Sequence, residues 1–592
     1  VLRFGHIKVV QGGWSLGTWK DAFVRWDTYE NLDETLRKHL DDMKMNESEL
    51  KEAFYKKLTF GTGGMRGVLG PGTNRMNIYT VRKAVAGLAK YLLEKDVGSK
   101  ARGVVVAYDS RYMSKEFALE CAKVLGYHGI KTYVFSSLRP TPLLSFAVRH
   151  LQTVAGIMIT ASHNPPEYNG FKVYNEDGGQ MTLEESDAVI NRVAQITDEL
   201  TIPVLDEKEL EKSGLLCWIS SEIDRAYLEQ LYAMSRMDEP TKRIEKDLTI
   251  VFTPLHGTAY HLVTEGLKQL QFNHLHVVEE QATIDPEFST VNSPNPEEKE
   301  AFTLAIQLGK KVNADILLGT DPDTDRLGVA VKDQSGDYQV LTGNQLGSLL
   351  LDYILHQYSG QSLTHARMLK TIVTKELSRK IAEDYGVKTV NTLTGFKFIS
   401  EKIRQYDTTG ETFIFGFEES YGYLIDSFSR DKDAIQAAVM TAEMAYAWKK
   451  RGKSLLDALD QLYETYGYYL EGMTQLTLEG IEGTQKIEAV MDYVRKHPFQ
   501  QIANLRVQAI EDYLKHERIS INDTQVKEVL HLPKENALKF ILTDDCWVCL
   551  RPSETEPKLK CYYGVKGSTR EECERILNEL QGTMEQSIKK LI

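Results

Sequence analysis

Cysteine is scarce: six in 592 residues, at positions 121, 217, 546, 549, 561 and 573, leave most of the chain unstapled and exclude a disulfide-framed scaffold. A reducing, cytoplasmic setting fits that usage. No apolar run approaches the ~18 residues that cross a bilayer, so no membrane partner is expected. In the amino-terminal stretch VLRFGHIKVVQGGWSLG, Arg3, His6 and Lys8 interrupt any signal-peptide core. Basic charge is in deficit too, since 71 Lys and Arg against 84 Asp and Glu give −13. Without a cationic stripe, nucleic acid is a poor partner. Short-period repeats and low-complexity tracts are also missing, which excludes a solenoid and a largely disordered chain.

What remains is ordinary globular composition, 42% hydrophobic and 26% charged, in a chain roughly four times a ~150-residue domain. Three or four domains are expected. The first ~16 residues, which begin without Met and are rich in Gly and Trp, read as an extension foreign to the fold. From Gly103 the pattern alternates: apolar GVVVAYD, an amphipathic stretch from Ser114 to Tyr127, apolar KTYVF, helical TPLLSFAVRH, then VAGIMIT. That is an α/β signature. Thr182 and Glu185 stand at capping-box spacing, so the segment from Thr160 to Thr182 is expected to be a loop between strand and helix. The alternation restarts at LTIVFTPLHG and again after a hairpin around Gln334–Asp337. Beyond about Tyr466 the texture shifts to a smaller α+β unit.

Ligands collect beyond the carboxyl ends of strands in open α/β sheets, and five loops occupy such places. TASHNPPEYNGFK joins Ser162, His163 and Lys172 in a turn stiffened by two prolines. It lacks G-x-S-x-G, and no triad order can be written, so acyl transfer is disfavoured. GTDPDTDR sets Asp321, Asp323 and Asp325 at alternate positions, where carboxylates repel unless a cation holds them. Oxygen donors alone favour Mg²⁺, Mn²⁺ or Ca²⁺ over zinc. An EF-hand is excluded, because Arg326 and Lys332 stand where that loop needs Gly and Glu. GTGGMRGVLGPGTNRMN, with Arg66 and Arg75, suits an anion but is neither a Walker loop nor GxGxxG. GFEESYGY offers Glu418 and Ser420 for sugar hydroxyls, with Arg430 and Lys432 downstream for phosphate. RPSETEPKLK gathers Arg551, Ser553, Thr555 and Lys558 as donors to phosphate oxygens. Cys546 and Cys549 lack partners for a metal site, and their run reads as a strand that sends them to opposite faces.

In this order TASHNPP, GTDPDTDR, GFEES and RPSETEPK resemble the α-D-phosphohexomutase family, from about Gly61 to Lys560. TPLHGTAY, TLTGFKF and GFEESYGY place the texture nearest the branch with bacterial phosphoglucomutases and phosphopentomutase-like enzymes. The resemblance implies an α/β protein of four domains around one cleft. Three would be related α/β domains, at 17–208, 209–335 and 336–467, and the fourth, at 468–592, an α+β domain resembling the TATA-binding-protein fold. It implies a phosphoserine at Ser162, with Mg²⁺ held by Ser162, Asp321, Asp323 and Asp325. Arg66, Lys172 and Arg326 would neutralise the moving phosphoryl group, and either His163 or Lys172 would handle the hydroxyl proton. Gly395, Phe396, Lys397, Glu418, Ser420, Arg430 and Lys432 would bind the sugar phosphate, whose distal phosphate would rest on Arg551, Ser553, Thr555 and Lys558. The implied activity interconverts glucose 1-phosphate and glucose 6-phosphate through glucose 1,6-bisphosphate, in a monomer or homodimer. Phosphopentomutase, phosphomannomutase, a sugar-bisphosphate synthase and a non-catalytic sugar-phosphate sensor are the alternatives. One departure is Glu554, where the family has glycine in RPSGT; others are Pro322 and Thr324 between the aspartates, where many relatives have glycine.

Overall fold

The computed structural model describes residues 18–592 apart from 62, 359, 361, 479, 522–525 and 554–557. The amino-terminal extension and the centre of the RPSETEPK loop, with Glu554 and Thr555, therefore lie outside the described residues.

Three α/β sheets follow one another. In the first, the fully buried run Val104–Tyr108 pairs in parallel with Thr132–Phe135 and Ala155–Ile159. β-Branched residues buried on both faces suit a central parallel strand. The second sheet is built around Ile250–Thr253 and Ile316–Thr320, and the third around Ala366–Thr371, Lys388–Thr392 and Thr412–Glu418. Each also takes an antiparallel partner strand: Tyr168–Asn175, Leu327–Lys332 and Gly422–Leu424.

A single apolar core runs through all three domains, including Val105 and Phe135, Ile250 and Phe252, and Phe415 and Phe417. Helix Ala434–Lys449 stands at its centre, buried on nearly every side. Its small residues let the flanking helices approach closely. The carboxyl-terminal unit is an antiparallel sheet, from Tyr468–Thr477 to Lys558–Gly567, backed by helices Gly480–Lys496 and Arg570–Lys589. It has its own core and a second apolar seam against Ile372, Val373 and Leu393 of the third domain. Cys546 packs into that core and Cys549 into the seam, on opposite faces as alternation requires, and all six thiols are unpaired.

Two expectations are corrected. The segment from Thr160 to Thr182 contains the strand Tyr168–Asn175, which is antiparallel to Ala155–Ile159 and closes the sheet against Met65–Val68. Its burial on both faces hides the alternation that would have betrayed it. The boundary at 208/209 is also displaced, because Leu216–Ile219 pairs in parallel with Thr132–Phe135 and extends the first sheet. Ahead of that sheet, helices Trp19–Asp27, Glu34–Met43 and Glu47–Phe54 enclose a small core around Trp26. This unit pins the glycine-rich segment: the Asn74 amide N–H donates to the Ala53 carbonyl at 2.9 Å, and Asn74 Nδ2 to that of Glu52 at 3.0 Å.

Candidate active site

The loop after Ala155–Ile159 places Ser162 in the left-handed region, at φ 52°. A non-glycine residue rarely takes that conformation without being held there. Its hydroxyl donates to Asp321 Oδ2 at 2.6 Å and lies 3.1 Å from His163 Nδ1, while its amide donates to Thr160 Oγ1 at 2.8 Å. The first and second domains thus meet on one oxygen atom. Arg111, which sequence reasoning passed over, lies beneath the loop with its guanidinium on the carbonyls of Ser162, Asn164, Pro165 and Tyr168. The only sequence signal was a charged D-x-R at the carboxyl end of a buried strand.

The three aspartates converge as expected. All are buried, and among the described residues one oxygen from each can be chosen within 4.8 Å of the others. The turn is fixed by its own backbone: Asp321 Oδ1 accepts the amide hydrogens of Asp325 at 3.1 Å and Arg326 at 3.0 Å. Thr324 takes φ 63°, and its hydroxyl reaches Thr258 Oγ1 at 2.8 Å. The TPLHG segment is the floor of this turn, since Thr258 donates to the Pro322 carbonyl from its amide at 2.9 Å and from its hydroxyl at 3.0 Å. Thr141, at the start of helix Thr141–His150, also went unnoticed in the sequence. Its amide donates to the Asp323 carbonyl at 2.9 Å and its hydroxyl to Oδ2 at 3.1 Å.

Asp323 Oδ1 and Asp325 Oδ1 are buried without a hydrogen-bond partner. Such acceptors are rare in proteins and call for an explanation. An all-oxygen donor set with two orphaned carboxylate oxygens fits a hard divalent cation. Burial and repulsion from Asp323 and Asp325 push Asp321 well above the usual carboxylate range. Burial acts the same way on Asp323, but Lys172 at 2.7 Å, a hydrogen bond with Asp321 and the charge of Lys432 together outweigh it and hold that carboxylate low. Lys172 projects from the newly found strand, with Asp325 at 3.4 Å, and Lys432 comes from the third domain to Asp325 at 3.0 Å. Burial alone would lower the Lys172 pKa, yet Asp323 and Asp325 raise it. Lys172 is thus held as a cation. His163 differs, because burial together with Arg326 and Arg66 lowers it to about 3. It is a neutral imidazole beside the serine hydroxyl.

Arg66 sits on Met65–Val68 and donates to Asn164 Oδ1 at 2.7 Å, over the serine loop. Arg326 pairs with Glu297 and has Asp325 Oδ1 at 3.8 Å. In the third domain the two sugar-loop motifs touch, since the Gly395 amide donates to Glu418 Oε1 at 2.8 Å. Burial pushes Glu418 up to about 7, despite the pull of Lys432. Ser420 lies in the turn that follows, half-buried, and Lys397 opens helix Phe396–Thr409 near Phe398.

Three residues expected at the sugar also make contacts within the protein. Phe396 packs into the core with Leu369, Ile399 and Leu424, because the helix that begins there turns its first apolar residue inward. Arg430 is 1% exposed and clasps Asp407 at 2.7 Å and Asp177 at 3.7 Å, tying the first domain to the third. Lys432 is engaged by Asp325 and by Asp431 at 3.2 Å. In the fourth domain Arg551 donates to Glu535, and the Ser553 amide donates to the Lys558 carbonyl at 2.8 Å, closing the RPSETEPK loop at its base.

Comparison with known proteins agrees with this geometry. Residues 57–200, 225–336 and 342–466 match the patterns for phosphoglucomutase/phosphomannomutase alpha/beta/alpha domains I, II and III. The chain is 41% identical over 545 residues to the phosphoglucomutases of Staphylococcus aureus strains MRSA252 and N315, covering 91% of this chain and 94% of each relative. Among solved structures, the fold is like that of a putative phosphomannomutase from Thermus thermophilus (TM-score 0.66, 22% identity, 90% of this chain and 99% of that one). It is also like the Paramecium phosphoprotein pp63/parafusin (TM-score 0.67, 15% identity, 91% and 95%).

Proposed function

Because the chain belongs to the phosphoglucomutase/phosphomannomutase family, we propose that it is a Mg²⁺-dependent phosphoglucomutase. It would interconvert glucose 1-phosphate and glucose 6-phosphate through a phosphoserine at Ser162 and a glucose 1,6-bisphosphate intermediate. One observation carries the assignment of the site: the Ser162 hydroxyl lies 2.6 Å from a carboxylate of the aspartate turn. That puts the nucleophile beside the cation site.

Asp321, Asp323 and Asp325, with a phosphoryl oxygen on Ser162, would hold the ion. Bound there, Mg²⁺ would supply Lewis-acid polarisation of the phosphoryl group. The protein supplies position and charge. In one direction the Ser162 Oγ–P bond breaks as a sugar hydroxyl bonds to phosphorus, and the serine oxygen regains a proton. His163, whose Nδ1 lies 3.1 Å from the serine oxygen, is within reach of that proton. Lys172 is held charged by two aspartates and is suited to the opposite task, neutralising phosphoryl oxygens. Arg66 over the loop and Arg326 beside it add positive charge where a dissociative transition state spreads its negative charge.

Glu418, beside the Gly395 amide, and Ser420 would grip sugar hydroxyls, and Arg551, Ser553, Thr555 and Lys558 the phosphate at the far end. The bisphosphate would turn over between those two grips.

The deciding experiment supplies Mg²⁺ and a trace of glucose 1,6-bisphosphate and follows glucose 1-phosphate and ribose 1-phosphate in separate phosphorus NMR runs. Formation of glucose 6-phosphate is expected. Conversion of ribose 1-phosphate alone would make the chain a pentomutase, and no turnover of either would remove the mutase reading.

A further inference from the structure

Two prolines follow Asn164, and a proline has no backbone N–H to donate. The carbonyls of the serine loop consequently have few backbone partners. Within the loop the amide of Asn164 returns to Ala161 and that of Tyr168 to Pro165, both at 3.1 Å. Arg111 fills the gap. Its Nη2 donates to the Ser162 carbonyl at 2.6 Å and to Asn164 at 2.5 Å, and its Nη1 to Pro165 at 2.8 Å and Tyr168 at 3.1 Å. The guanidinium is held from behind by Asp109, whose Oδ2 lies 3.4 Å from Nε in a fully buried pair. Asp109 Oδ1 also accepts the Arg111 amide at 3.0 Å and the Ser114 hydroxyl at 2.7 Å.

The other face of Arg111 meets the second domain. Its guanidinium carbon stands 4.9 Å from the ring centre of Phe288, which is 1% exposed. Phe288 is itself fixed at φ 51° in a turn where Asp285 Oδ2 accepts the Ser289 amide at 2.9 Å. That turn hangs from His256 of the TPLHG segment, whose ring nitrogens reach the Thr283 carbonyl at 2.8 Å and Thr290 Oγ1 at 2.7 Å. The segment that supports the aspartate turn thus also presents a ring to the residue that supports the serine loop.

We propose that Arg111 is the positioning residue of the phosphoryl-transfer loop, and that Phe288 couples its placement to the docking of the second domain. Arg111 touches neither the reacting atoms nor the aspartates. It acts by fixing the carbonyl of the strained Ser162 and three carbonyls downstream of it, so that the hydroxyl faces Asp321. A planar fork can reach four carbonyls at once, which a lysine ammonium cannot. The consequence for turnover rests on the mutase reading above; the consequence for the loop does not.

The test uses the whole chain as wild type, Arg111→Lys and Phe288→Ala, with amide hydrogen exchange beside steady-state kinetics. In Arg111→Lys, amides from 160 to 168 should exchange at least about tenfold faster while the central strands keep their protection. Its kcat should fall on the order of 10²-fold, as for a misplacement of about 1 Å, and its KM for glucose 1-phosphate should move less than about threefold. Phe288→Ala should shift both readouts the same way by a smaller factor. Unchanged loop exchange in both variants overturns the proposal, and so does loss of protection throughout the first sheet in step with kcat. If Arg111→Lys does not fold, Phe288→Ala decides: faster exchange confined to the loop supports the coupling, and wild-type exchange there overturns it. A wild type without turnover whose loop still loosens in Arg111→Lys upholds the positioning role and removes the mutase reading.

Discussion

Ser162 owes its candidacy to neighbours drawn from two domains. Its hydroxyl is unremarkable chemically until Asp321, His163 and a left-handed backbone surround it. Intact mass of the purified chain should show a fraction heavier by one phosphate, and Ser162→Ala should lose both that species and turnover. Glu418 gives a second test. Burial pushes it to about 7, so it changes from acid to carboxylate across neutral pH. In the proposed role the carboxylate would accept from sugar hydroxyls, so KM for glucose 1-phosphate should rise as pH falls from 8 to 6.5, and Glu418→Gln should flatten that dependence. Glu554 lies outside the described residues, yet its charge is plain in the sequence. Removing a negative group from a phosphate loop should tighten binding, so titration calorimetry of Glu554→Gly is expected to give a lower Kd for glucose 6-phosphate.

Elements hold the site through close backbone approach. At Gly257 a Cβ would stand 2.4 Å from the Pro322 Cα, so the TPLHG segment packs against the aspartate turn with no room for a methyl group. Gly257→Ala should therefore displace the turn and weaken Mn²⁺ affinity by at least about tenfold, measured by electron paramagnetic resonance. Helix Ala434–Lys449 begins at Asp433, whose carboxylate accepts the amides of Ile435 at 3.1 Å and Gln436 at 3.0 Å and the Tyr227 hydroxyl at 2.8 Å. Burial nevertheless pushes Asp433 up to about 7. An acid whose folded pKa lies above its unfolded value contributes stability that is full below the unfolded value, about 4, and lost as pH rises through 7. Denaturant melts should accordingly show wild type losing stability relative to Asp433→Asn between pH 5 and 8. Most of these elements could be read in advance, because Ser114–Tyr127 and Thr141–His150 carry helical periodicity and Val104–Tyr108 a buried β-branched run. The strand Tyr168–Asn175 could not, since burial on both faces erased its period.

At the scale of the molecule, three domains send charge to one turn. Lys172 arrives from the first and Lys432 from the third, onto aspartates of the second. A bound cation should therefore stabilise the folded chain as a unit. Mg²⁺ at about 100 times its Kd should add about 2.7 kcal/mol, read as a rise in Tm that EDTA reverses and Asp323→Asn abolishes. Reading the sequence alone reached the three α/β repeats, the serine loop, the aspartate triplet and the order of the motif-bearing loops. Those features are local, because apolar periodicity and the spacing of like charges are written within ten or so residues. The fold added that Arg111 supports the serine loop, that Thr141 anchors Asp323, that Arg430 pairs with Asp407 and that Phe396 packs inward. It also separated Lys172, held as a cation, from His163, held neutral. Those outcomes depend on burial and on groups brought together from residues tens to more than a hundred positions apart, and neither is encoded in a short window of sequence.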